Sequence, residues 1–338
     1  MISSIQAHRP LDGLTTFGTR SEADHYAEAG SLDELEAHLA EANANGLPVH
    51  FLGAGANTIA MSRVPGMTIR ITIKGVEMSA APNGDVLVKC GAGEVFDDIV
   101  ARTLKAGIGG LENLSAIPGT VGGAVVQNIG AYGCEAKDAI ERVHMFCVEN
   151  CKCMTLDAAH CGFGYRESVF KHDLKGRVII TAIEIRLSHT PRPKLGYGDV
   201  EREVEARGGA TLRNIREAIC SIRRAKLPDP AVLGNAGSFF KNPVVEAPVA
   251  ERLLAEYPDM PHYAAPEGRI KLAAGWLIDR AGMKGYREGS VGVHERQALV
   301  LVNHGGATGG EVIAFARTVQ AKVREKFGIE IDTEVNIL

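Results

Sequence analysis

The sequence predicts an α+β protein with more than one domain. Helical and strand periodicities alternate along it without the regular βαβα rhythm of a doubly wound sheet. At 338 residues the chain exceeds what one core comfortably holds. Helix-start signatures stand near both ends, at Ser31–Glu34 and Thr308–Glu311, so helices and strands intersperse over the whole length.

Taken in order, Ser31-Leu-Asp-Glu34 is a capping-box pattern opening "LEAHLAEANANG", a helix that Gly46 ends. "LPVHFLG" is a short buried strand running into "GAGANT". "MTIRITIKGV" and "DVLVKCGAG" are further strands, and "VFDDIVARTLKAG" (95–107) is a helix with a glycine stop. A glycine-rich segment covers 117–133. "RVHMFCVE" and "RVIITAIEIRLSH" are strands around a loop carrying "GYRESVFK". "PRPKLGYGDV" is turn-rich, a linker or lid. In "TLRNIREAICSIRRAKLPDP", Leu212, Ile215, Ile219 and Ile222 share a helix face, and Pro228 and Pro230 close the helix. "QALVLVNH" is strand-like, a helix spans 311–327 behind the Thr308/Glu311 box, and "IEIDTEVNIL" is a final strand. The expected boundaries near 70 and 210 give three parts: 1–70, 71–210 and 211–338.

Composition excludes several classes. Hydrophobic residues make up 45% and charged ones 23%, the balance of a soluble globular protein. A net charge of −4 supplies no global positive field for nucleic acid or anionic lipid. No apolar run reaches the roughly 20 residues of a membrane helix, and "MISSIQAHRPLDG" lacks the apolar core of a secretory signal, so a cytoplasmic location is expected. Four of the seven cysteines, Cys147, Cys151, Cys153 and Cys161, crowd beside His160. The spacing C-x3-C-x-C-x7-C lacks paired C-x2-C knuckles, so reduced thiols are expected there and no metal.

Chemistry concentrates in a few segments. Gly53, Ala54, Gly55, Ala56, Asn57 and Thr58 form a small-residue loop after a strand, able to bring N–H groups to phosphate oxygens. It is neither a Walker loop nor a G-x-G-x-x-G fingerprint, and a tight strand-to-helix turn explains it as well. "IPGTVGGAVVQNIGAYG" keeps backbone bare at Gly119, Gly122, Gly123, Gly130 and Gly133, as packing against a large flat ligand would require. Ile117, Pro118, Thr120, Gln127 and Asn128 line the same stretch. Two such segments suggest a bound dinucleotide. Arg166 beside Tyr165 offers a planar fork for a carboxylate or phosphate, or an ordinary surface ion pair. Lys226 is a point cation at a helix end, where it also suits the helix dipole. Glu334 shares its strand face with Glu330, Asp332 and Asn336, a pattern periodicity assigns to solvent. His294 reads as a satisfied structural histidine. Ser238 in "GNAGSFFKNP" is by itself a loop or cap serine.

The six segments "LGAGANT", "IPGTVGGAVVQNIGAYG", "GYRESVFK", "GNAGSFFKNP", "KLAAGWLID" and "HERQALVLVN" occur in that order, and the set resembles the UDP-N-acetylenolpyruvoylglucosamine reductases (UDP-N-acetylmuramate dehydrogenases) from about Phe17 onward. "KLGYGDV" and "SFFKNP" look like the longer, type I form. The resemblance implies two N-terminal lobes holding noncovalent FAD in the vanillyl-alcohol-oxidase manner, with its diphosphate on "GAGANT" and "IPGTVGGA", and a separate α+β substrate domain. It implies NADPH as hydride donor and a UDP-sugar as substrate; a monomer is expected. By position in their motifs, Ser238, Arg166 and Glu334 match the family's catalytic residues. Tyr197 matches its lid tyrosine, Lys226 and Asn242 its UDP contacts, and Tyr263 and Gln297 further substrate contacts; Tyr165 accompanies Arg166 as a substrate residue. Hydride addition at C3 of the enol ether leaves charge at C2, delocalised into the carboxylate. Arg166 with Glu334 would stabilise that charge, and Ser238 would protonate C2. Other readings are an oxygen-using FAD oxidase, a silent UDP-sugar-binding protein and a serine hydrolase. The last lacks a G-x-S-x-G elbow.

Overall fold

The computed structural model describes residues 4–338. The chain divides into two compact units, neither of them one continuous stretch. The first comprises Ala23–Ala54 and Pro65–Ala225 with residues 4–9; the second comprises Pro10–Glu22, Gly55–Val64 and Lys226–Leu338.

The first unit is built on a five-stranded sheet in the order Lys152–Asp157, Ile140–Cys147, Val178–Ser188, Asp85–Gly91, Val76–Ala80, antiparallel throughout. The long central strand buries Ile179, Ile183, Ile185 and Leu187, the β-branched, alternating composition that a covered pleat favours. A second sheet runs Gln6–Pro10, Glu22–Ala29, Arg63–Ile71, Val49–Leu52, the last pair parallel. The expected strand 67–76 is therefore two elements, Arg63–Ile71 and Val76–Ala80, in different sheets. The Leu32–Ala44 helix buries Leu35, His38, Leu39 and Ala42, one stripe at helical spacing. Its capping box closes only halfway. Ser31 Oγ accepts from Glu34 N at 3.2 Å, but the Glu34 carboxylate accepts from Gly30 N at 2.8 Å, one residue earlier. In the 96–105 helix, Val95 is the cap and not the first turn.

Inside the glycine-rich segment lies a helix that composition hides, Val121–Gln127. Thr120 caps it, accepting from Gly123 N at 3.3 Å, and Asn128 ends it in the left-handed conformation at φ 41°. Gly122 donates its N–H to Ala92 O at 2.9 Å, and a Cβ there would stand 3.1 Å from Ala92 Cβ. Part of the glycine content thus serves helix-to-strand packing rather than a ligand. A small third cluster joins Val200 and Val204 to Ile215, Ala218, Ile219 and Ile222 of the Leu212–Lys226 helix, with Tyr132 and Leu195 packed on it.

The second unit centres on an antiparallel sheet ordered Gly234–Ser238, Val300–Asn303, Val291–Val293, Arg287–Glu288. The Gly309–Phe327 helix covers its core with Val312, Phe315, Ala316, Val319 and Val323. Here the box closes both ways: Thr308 Oγ1 accepts from Glu311 N and Glu311 Oε2 accepts from Thr308 N. The Ala247–Glu256 helix and the sheet of Val244–Val245, Ile270–Leu272 and His262–Ala264 complete the unit; sequence periodicity did not reveal them. The expected strand 329–338 is mostly extended coil. Ile329, Ile331 and Val335 are buried as the alternation requires, yet only Asn336–Ile337 forms a strand, in parallel with Thr58–Ile59, with a single antiparallel bridge from Thr333 to Phe240 before it. The remaining carbonyls find single partners, such as Gln320 Nε2 on Ile331 O at 2.7 Å. Following "GAGANT" is this short strand, not a helix, so the strand-to-helix reading of that loop does not hold.

Candidate functional site

In the first unit the structure joins three of the sequence-picked segments. Gly164 and Glu167 close a tight turn with reciprocal backbone bonds of 3.0 and 3.2 Å, placing Tyr165 and Arg166 at its tip. Arg166 is left-handed at φ 57°, a strained conformation for a side chain of that size. Its guanidinium donates to Gly130 O at 2.6 Å and Asn128 O at 3.4 Å and lies 5.4 Å over the Tyr165 ring. The guanidinium fork is thus turned onto the glycine-rich segment. Asn128, fully buried, donates through Nδ2 to Gly164 O at 2.8 Å and Glu135 Oε2 at 3.1 Å, and accepts from Lys137 N at 3.0 Å. Lys171, five residues past Arg166 in the same motif, donates to Arg166 O at 2.8 Å and Gln127 Oε1 at 3.3 Å. Sequence reasoning passed over Lys171 and Glu135; only their place in or beside the motifs signals them.

Gly53 stands against Thr120 so closely that a Cβ would lie 2.7 Å from Thr120 Oγ1. Gly119, at φ 131°, and Ile117 and Pro118 precede that cap. Gln127 is buried and its Nε2 has no hydrogen-bond partner. A bare-backbone cradle and an unsatisfied buried donor are the features expected where a dinucleotide lies, so these residues fit FAD. Gly53→Ala is expected to push Thr120 off its cap, at about 1 kcal/mol of local stability, and to yield protein with less bound flavin. Flavin-to-protein absorbance of the purified variant checks this; wild-type flavin content would count against the cradle.

Below the same segment, Asp97 accepts from both Arg216 nitrogens at 2.6 and 2.8 Å and from Ala116 N at 2.6 Å. Burial alone would raise the Asp97 carboxyl, but these donors outweigh it and hold it below the usual range. Ala116, left-handed at φ 59°, also accepts from Arg223 Nε at 3.1 Å. Tyr197 is half exposed, its ring 6.2 Å from that of Tyr132 in an edge-to-face pair.

In the second unit Ser238 ends a strand rather than sitting in a loop. It pairs with Val300 across a register shift that follows Asn235. Asn235 fixes the bend: its Oδ1 accepts from Gly237 N at 3.0 Å and its Nδ2 donates to Leu233 O at 2.9 Å. Gly237 is left-handed at φ 69°. Phe239 and Phe240 are buried, 0% and 1% exposed, in the core behind the serine. Phe239 O accepts from Glu334 N at 2.8 Å, and Asn57 Nδ2 donates to Glu334 O at 3.1 Å. Ser238, Glu334 and the Gly55–Thr58 half of the small-residue loop are thus linked through backbone, and Glu334 is half-buried rather than on a solvated face. Asn242 Oδ1 accepts from Ala274 N at 2.9 Å, capping the Ala274–Arg280 helix, which leaves Nδ2 as its donor. Gln297 Oε1 accepts from Leu299 N at 3.4 Å. Tyr263 is exposed beside Lys271, and Lys226 ends its helix exposed, neither brought onto Ser238 by any of these bonds. His294 is buried with Nδ1 lacking a partner, which corrects the expectation of a satisfied histidine. Among the described residues no group of three or more His, Cys, Asp or Glu could hold a metal ion. Burial pushes the Cys161 thiol up to about 11.

Comparison with known proteins agrees with both halves. A family model for the C-terminal domain of UDP-N-acetylenolpyruvoylglucosamine reductase matches residues 229–338, and one for an FAD binding domain matches residues 23–156. UDP-N-acetylenolpyruvoylglucosamine reductases from Chromobacterium violaceum and Pseudomonas aeruginosa are 46% and 45% identical, each alignment covering 100% of both chains. The crystal structure of the Thermus caldophilus UDP-N-acetylenolpyruvylglucosamine reductase superposes with a TM-score of 0.67 at 25% identity, covering 99% of this chain and 98% of that one.

Proposed function

The chain belongs to the UDP-N-acetylenolpyruvoylglucosamine reductase family and is an FAD-containing oxidoreductase; we propose that it uses NADPH to reduce the enolpyruvyl double bond of UDP-N-acetylglucosamine enolpyruvate to UDP-N-acetylmuramate, in peptidoglycan precursor synthesis. FAD, held noncovalently, supplies the hydride relay between NADPH and C3 of the enolpyruvyl group. The residues of Gly53–Thr58 and Ile117–Gly130 already described would hold it.

The observation that carries this reading is the bond from Glu334 N to Phe239 O, which ties the carboxylate-bearing segment to the residue after Ser238. The chain's own groups then have distinct tasks. Ser238 gives its hydroxyl proton to C2. A serine is a weak acid in water, but beside an enolate it needs only placement and a route to regain the proton. The rigid pair of buried rings behind it supplies that placement. Arg166 and Glu334 stabilise the charge that develops on the carboxylate side. Lys226 and the Asn242 amide nitrogen meet the UDP portion, and Tyr165, Tyr197, Tyr263 and Gln297 complete the substrate contacts. The three-part division into 1–70, 71–210 and 211–338 belongs to the same proposal, as do a monomeric state and a cytoplasmic location. Among the described residues no helix is long and apolar enough to cross a membrane.

Purified protein is expected to be yellow, to bleach with NADPH, and to regain colour on adding the enolpyruvyl UDP-sugar while forming UDP-N-acetylmuramate. Colourless protein that takes up no FAD would sink the reading. Peroxide formation with oxygen as the acceptor would favour an oxidase instead.

A further inference from the structure

We propose that Asn113 is a positioning residue that sets Tyr197 over the substrate, acting through Tyr132 and the backbone of Lys194. Asn113 lies in the short turn Glu112–Leu114 and is 2% exposed. Its single amide nitrogen donates to Tyr132 O at 2.8 Å and to Lys194 O at 2.7 Å, joining segments 19 and 81 residues away. Its Oδ1, equally buried, has no partner. An unsatisfied buried carbonyl is costly, and the two bonds of the amide nitrogen are what offset it here.

Both held groups lead to Tyr197. Between Ser188 and Val200 there is no helix or strand, so no periodic ladder fixes Tyr197. Lys194 enters that stretch with its carbonyl on Asn113 and its Nζ on Gly133 O at 3.2 Å and Asp138 Oδ2 at 3.0 Å. Tyr132, held left-handed at φ 48°, presents its ring to the Tyr197 ring at 6.2 Å and 86°. Leu195 and Tyr132 rest on the same small hydrophobic cluster. Asn113 therefore fixes both the floor under Tyr197 and the entry to its segment. The cation Arg223 faces Tyr132 from the Leu212–Lys226 helix, and burial pushes both the Tyr132 hydroxyl up and the Arg223 guanidinium down.

The inference rests on the proposed substrate role of Tyr197. It is tested on the FAD-loaded full chain with Asn113→Ala, with Tyr132→Leu as a second variant that removes the ring and no buried amide, and with Tyr132→Phe as the conservative rescue. Both Asn113→Ala and Tyr132→Leu are expected to raise KM for the enolpyruvyl UDP-sugar about tenfold, with flavin reduction by NADPH at the wild-type rate, and Tyr132→Phe to restore KM. Added to Tyr197→Ala, neither should raise KM further, since all act through one ring. Unchanged KM in Tyr132→Leu, equal slowing of both half-reactions, or additivity with Tyr197→Ala overturns the inference. Wild-type enzyme that does not reduce the UDP-sugar overturns the proposed function instead.

Discussion

Ser238→Ala is expected to slow reoxidation of the reduced flavin by the UDP-sugar by about 10²- to 10⁴-fold, the usual worth of a positioned proton donor, while NADPH reduces the flavin at the wild-type rate. Ser238 closes its strand at a register shift, with the Phe239 and Phe240 rings buried behind it. Losing one oxygen there empties no core volume and breaks no backbone bond, so stability should stay within about 0.5 kcal/mol. Stopped-flow absorbance separates the two half-reactions directly. Equal slowing of both would make the serine structural. Product formed in deuterated water provides a second check: label at C2 should appear only as fast as the variant turns over.

Arg166→Lys is expected to lower kcat by about 10²- to 10³-fold, the cost of one lost charge-stabilising donor set. A lysine keeps the charge but not the fork. It cannot reach Gly130 O and Asn128 O together, as the guanidinium does at 2.6 and 3.4 Å. The glycine-rich segment should loosen along with the loss of the anion donor, so KM should rise as well. Saturation kinetics at fixed NADPH read both constants; a variant within twofold of wild-type kcat would remove Arg166 from the catalytic set. The left-handed backbone at Arg166 costs about 1–2 kcal/mol that glycine would not. Strain kept at such a residue is what a functional constraint, rather than stability, leaves behind.

Local signals in the sequence were legible where a short pattern and a tertiary role coincide. Thr308 and Glu311 close their box as written, and Leu35, His38, Leu39 and Ala42 form the stripe their spacing promises. Signals failed where tertiary contacts outvote propensity. Val121–Gln127 is helical despite two internal glycines, because Thr120 caps it and Ala92 packs against Gly122. Ile329 to Val335 alternate like a strand but find only the single Thr333–Phe240 bridge in place of a ladder. At the site, the motif residues were visible in one dimension, but Asn113 and Lys171 were not. Each is an amide or amine whose importance lies in which distant carbonyl it meets, and no spacing rule encodes that. Nor does any local pattern mark Pro10–Glu22 and Gly55–Val64 as parts of the unit formed by Lys226–Leu338.

The bond from Asn57 to Glu334 spans 277 residues, and the pairing of Thr58–Ile59 with Asn336–Ile337 spans a similar reach. On the ribosome, at about 5 to 20 residues per second, the early segment waits roughly 15 to 55 seconds for its partner. Throughout that interval a buried isoleucine and an open strand edge stay uncovered in the nascent chain. The second unit can close only once Asn336–Ile337 has been made, long after the strand it pairs with.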